Sequence, residues 1–231
     1  MRTVAFTAGV RGYGLTYRQR QKLTVKKVLR SLLYSLFLIF HPNDSFWDLK
    51  YERRGNVPAA TIILGLVVVT YVFMRQFTGF IFNPIDLTRL NIAVEVMSVL
   101  VPFFLWCVVN WSLTTLMSGK GTFREVYIAS AFALTPLVLT LIPATIASNF
   151  LILEEGPFIW VLVAGGVIWS VVLLFIGTMV THEYDTGKTF FTCILIVAGM
   201  TAVLFLGILF FSLLNQAYVF AYSIYRELIF R

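Results

Sequence analysis

The feature that most limits this chain is the stretch Thr189–Tyr225, 37 residues without one charged side chain. About 18 to 20 apolar residues are enough to cross a bilayer core of about 30 Å as a helix. A helix also satisfies its own backbone hydrogen bonds, which hydrocarbon cannot do for it. Four further apolar runs precede this one. The expected spans are 58–82, 90–117, 126–153, 157–180 and 189–214. Asn215-Gln216 is expected to end the last span, leaving Tyr218, Phe220, Tyr222 and Tyr225 as an interfacial C-terminal segment. Composition agrees. Hydrophobic residues make up 59% and charged residues 13%, against about 45–50% and 25% in soluble domains. The expected fold class is an all-α membrane protein: five transmembrane helices preceded by a basic amphipathic interfacial helix.

That preceding helix is read from periodicity. Val25, Val28, Leu29, Leu32, Leu33, Leu36, Phe37 and Phe40 follow the i, i+3, i+4, i+7 rule. Lys26, Lys27 and Arg30 lie off the stripe and are expected to contact lipid headgroups. The uncharged part is too short to span, and Pro42 ends it. Residues 1–56 therefore read as a basic cytoplasmic or interfacial region with an amphipathic helix over 25–40. Residues 57–231 read as the membrane domain.

The formal net charge of +7 could suggest nucleic acid, but 11 of the 18 Lys and Arg fall in the first 54 residues, ahead of the first span. This placement suits anionic headgroups and the positive-inside bias, so lipids and not nucleic acid are the expected charged partner. With five spans, one side holds 14 Lys and Arg and the other 4. The N-terminus is expected in the cytoplasm and the C-terminus outside.

Few groups offer chemistry. Gly9, Gly12 and Gly14 lack the strand and the Gly-Lys-Ser/Thr of a phosphate loop. Cys107 and Cys193 sit in apolar runs as buried small hydrophobes. His41 and His182 show no metal-ligand spacing; His182, Glu183 and Asp185 together could hold a metal, but a solvated loop is the preferred reading. No catalytic residue, metal or cofactor is expected. The candidate intramembrane polar contacts are Arg75, Glu95 and Asn110. Arg75 either snorkels to the outer interface or pairs with Glu95; Asn110 is expected to bridge helices. Ala129 with Ala133, Ala198 with Ala202, and Gly165 with Gly166 provide small surfaces for close helix packing. Pro102, Pro136 and Pro143 are expected to kink their spans.

Two stretches carry a family resemblance. His41-Pro-Asn-Asp-Ser-Phe-Trp-Asp-Leu-Lys-Tyr-Glu52 leads directly into a span. Gly119-Lys-Gly-Thr-Phe-Arg-Glu-Val-Tyr127 leads to Ala131-Phe-Ala-Leu-Thr-Pro136. Both resemble the Yip (Ypt/Rab-interacting protein) membrane family over roughly residues 40–215, especially its bacterial members. The resemblance implies five spans and a cytoplasmic N-terminus. Eukaryotic members act in vesicle traffic and bind Rab GTPases and one another. This chain lacks their long N-terminal region and their Asp-Leu-Tyr-Gly-Pro motif, which argues against Rab binding.

The expected function is a non-enzymatic scaffold or accessory subunit of a membrane complex in the bacterial cytoplasmic membrane. Its expected partner is another membrane protein, such as a transporter complex, or a second copy. The rival is a transporter or channel component that itself moves a solute, and a weaker third is a membrane enzyme. A conducting protein needs polar groups at mid-membrane, and the third to fifth spans have no charged group there.

Overall fold

The computed structural model describes residues 17–52, 54–83 and 90–229, with side chains from residue 27 onwards except 228. The glycines of the N-terminal tail, the Lys26 side chain, Arg89 and Arg231 lie outside the described residues. Among those described there are helices and no strand. In chain order they are α1 (Tyr17–Phe40), α2 (Pro42–Tyr51), α3 (Val57–Phe77), α4 (Ile92–Leu116), α5 (Phe123–Ala133), α6 (Thr135–Ala147), α7 (Gly156–His182) and α8 (Thr186–Ile229). Five segments are long and apolar enough to cross a membrane: α3, α4, α5 with α6, α7, and α8.

The helix starts follow from local chemistry. Asn56 accepts from the Ala59 N–H at 3.1 Å, with Pro58 in the first turn of α3 where its missing N–H costs nothing. Asn91 accepts from Ala93 N–H at the head of α4. Thr122 and Glu125 form a reciprocal capping box on α5.

The third span is the axis of the bundle. Of its most apolar window, 56% is buried, against 6% for α8. Ala131, Phe132 and Ala133 are fully buried at its midpoint, with Ala59 and Ala60 of α3 in the same core. The span breaks there into α5 and α6. Leu134 ends the first helix, Thr135 Oγ1 donates to Phe132 O at 2.7 Å, and Pro136 starts the second. Pro136 thus restarts the helix, whereas Pro102 and Pro143 lie within α4 and α6.

Three boundaries differ from the sequence reading, and one of them is the end of the third span, at Ala147 and not near Leu153. The first span stops at Phe77, not near Phe82, because Thr78–Asn83 turn back onto the end of α6. Gly79 N–H donates to Ser148 Oγ at 2.8 Å, and a Cβ on Gly79 would collide with the Ser148 carbonyl. The last helix does not end at Asn215-Gln216 but runs unbroken to Ile229. With no proline after Pro157 and no glycine after Gly207, nothing covalent stops it.

Candidate functional site

Two polar clusters occupy opposite ends of the bundle. At one end, Arg75 in the last turn of α3 meets Glu95 in the first turn of α4. The guanidinium donates through Nε and Nη2 to the two carboxylate oxygens, each at 3.0 Å. Of the two sequence readings, pairing is the one found. The fork geometry matches a carboxylate, and the Glu95 side chain is only 12% exposed. Asn83 Nδ2 donates to Arg75 O at 3.2 Å, tying the following turn to the same place.

At the other end a single carboxylate joins three segments. Glu183 follows α7 with a left-handed φ of 55°, a position that glycine usually fills. Lys50 and Tyr51 of α2 and Lys120 of the α4–α5 loop all donate to it, the two lysines at 2.7 and 2.6 Å. Hydrogen bonds from Lys120, Lys50 and Tyr51 hold its carboxyl down at about 2. Nearby, Tyr184 OH and Lys188 Nζ donate to carbonyls at the end of α4, Thr114 and Met117. These bonds satisfy acceptors that a helix C-terminus leaves open.

Behind Glu183 lies a packed polar seam between α4, α5 and α7. His182 and Asn110 are each 1% exposed. Asn110 Nδ2 donates to Thr178 Oγ1 at 3.3 Å, so Asn110 does bridge helices. Gly121 N–H donates to His182 Nδ1 at 3.3 Å, which places the imidazole proton on Nε2. His182 Nε2 and Asn110 Oδ1 have no hydrogen-bond partner. A Cβ on Gly119 or Gly121 would run into the His182 ring, so the loop crosses it by glycine alone. The seam has no space for a water molecule. It is a packed interface between α4, α5 and α7.

The small residues divide. Ala129 and Ala133 are buried in the core, and Gly166 faces Thr140 of α6. Gly165 has nothing within 4 Å of its Cβ position, and Ala198 and Ala202 face outward on α8. Lys27 and Arg30 are exposed on α1. Sequence reasoning missed Glu183 as a junction because its partners lie 133, 132 and 63 residues away. Among the described residues no group of three His, Cys, Asp or Glu could hold a metal.

The Yip1 domain family model matches residues 36–214, which takes in α2 to α7 and most of α8. No curated protein and no solved structure matches the chain. The match covers well over half of a chain that has five helices long and apolar enough to span a membrane, and the chain belongs to the Yip1 domain family of multi-pass membrane proteins.

Proposed function

We propose that the chain is a non-enzymatic scaffold or accessory subunit that packs against another membrane protein through α8. The observation that carries this reading is the second half of α8. Its first half rests on α4 and α7, with Thr189, Thr192 and Ile196 fully buried and Gly199 against Val109. From Thr201 to Glu227 every residue except Gly207 is exposed. At 1.5 Å per residue the 44 residues of α8 extend about 66 Å, roughly twice a bilayer core. Lipid can cover only part of that length. Leu206, Leu209, Phe210, Phe211, Leu213 and Leu214 need further cover, and a second protein's helix supplies it. Ala198 and Ala202 allow a close backbone approach beside them. The membrane is the bacterial cytoplasmic membrane, with the Glu183 end inside.

The test uses exposed positions of α8. Leu209→Gln with Phe210→Gln, and separately Ala198→Leu with Ala202→Leu, should leave folding unchanged and remove the copurifying membrane protein. Partners retained by both variants would overturn the reading. So would solute flux by the purified wild-type protein alone in liposomes.

A further inference from the structure

The N-terminal region is set at a depth that a helix lying on the membrane surface would not reach. Trp169 Nε1 donates to the Ile39 carbonyl at 3.2 Å. Trp169 sits in the middle of α7, whose stretch from Pro157 to Thr181 carries no charge. It precedes Glu183 by 14 residues, about 20 Å along the helix. The end of α1 therefore lies beside the centre of a span. Helix α1 also packs against α6, the half of the third span farther from Glu183.

From that depth α2 climbs back. Phe46 packs on Gly177, and Lys50 reaches Glu183 at 2.7 Å. At the charged end the two limbs are tied together. Ser31 Oγ donates to Arg54 O at 2.9 Å, and Tyr34 OH donates to Asp48 at 2.7 Å.

We propose that α1 and α2 form a re-entrant hairpin that enters one leaflet from the Glu183 side, with acyl chains covering the outer face of α1. That face is Leu29, Leu33, Leu36, Phe37 and Phe40, all exposed, Phe40 at 79%. The opposite face, with Ser31, Ser35 and Leu38, is buried against the bundle. Apolar side chains so placed beside the middle of a span meet hydrocarbon, not headgroups. Lys27 and Arg30, at the shallow end, meet the headgroups.

The turn lies at His41, which is non-helical, and Pro42 starts the returning helix. His41, Asn43 and Asp44 are exposed there, and Asp44 lies in the first turn of α2, where the helix dipole favours a carboxylate. Both limbs stay in one leaflet because their far ends are tied to each other and to Glu183 at the same end of the bundle. The membrane domain is consequently wider on the Glu183 side than on the other.

The test is depth measurement on the full chain in liposomes. Nitroxide labels at Leu29, Leu33, Phe37 and Phe40 share one side of the helix and point away from the bundle. Relative accessibility to oxygen and to a nickel chelate gives the depth of each. The hairpin predicts steady deepening from Leu29 to Phe40, by about 10–16 Å over these 11 residues. A helix lying flat places all four at one depth, which would overturn the proposal. Low oxygen accessibility at all four, meaning that protein covers the face, would overturn it too. Unchanged circular dichroism of each labelled chain shows that the label has not unfolded it.

Discussion

Glu183 joins three segments through one side chain. It holds α2 and the α4–α5 loop against the end of α7, and it adopts a left-handed backbone to do so. Its carboxyl is held at about 2, below its ordinary value of 4.5. A depressed carboxylate contributes stability above its unfolded value, and that stability is lost as pH falls through the folded one. The melting temperature in detergent should therefore fall as pH drops from about 4.5 towards 2. Glu183→Gln should lower the melting temperature at neutral pH and flatten that acid dependence. An unchanged acid limb in the variant would remove Glu183 from this role. The Arg75–Glu95 clamp makes a separate prediction. Arg75→Ala strands a mostly buried carboxylate and should cost about 2 kcal/mol, between the exposed and buried cases. The double variant Arg75→Leu with Glu95→Leu should recover most of that loss in the same unfolding assay.

At the scale of elements, the sequence showed the helices better than their neighbours. The five apolar runs were legible because hydropathy is local. The breaks were not. Pro136 was expected to kink a helix, but in a core of Ala131, Phe132 and Ala133 it begins a new one. The stripe on α1 shows the same limit. Val28 and Leu32 pack against the core while Leu29, Leu33, Leu36, Phe37 and Phe40 face outward. The protein-facing seam is completed by Ser31 and Ser35, which no apolar pattern would select. In lipid, apolarity marks the membrane side as readily as the inside, so a stripe alone does not say what it touches. Gly165 and Gly166 make the distinction measurable. Gly166→Leu would drive a side chain into Thr140 and should cost about 1–3 kcal/mol or more. Gly165→Leu meets open space and should change stability by less than about 0.5 kcal/mol. Equal effects in thermal unfolding would contradict the arrangement of α7 on α6.

Over the whole molecule, contacts and charge agree on which segments share an end. Lys50, Lys120 and Glu183 touch one another's segments, and Lys188 caps α4 beside them. Arg75, Glu95, Gly79 and Ser148 gather at the opposite end. This grouping comes from distances, yet it separates the basic residues much as the span count does, 14 to 4. In the proposed orientation the richer end is inside, as the positive-inside bias favours. Because α8 starts at that end and crosses without a break, its C-terminal part should emerge on the other side. Single cysteines at Glu52, Lys188, Glu154 and Glu227, in a chain with Cys107 and Cys193 replaced by alanine, test this with an impermeant maleimide. In intact cells Glu154 and Glu227 should label, while Glu52 and Lys188 should label only after permeabilisation. The reverse pattern would invert the orientation and leave the fold standing. Protection at Glu227 together with labelling at Glu154 would mean that α8 does not cross. The exposed half of α8 would then lie within reach of the Glu183 end, and the partner surface proposed for it would have to be on that side.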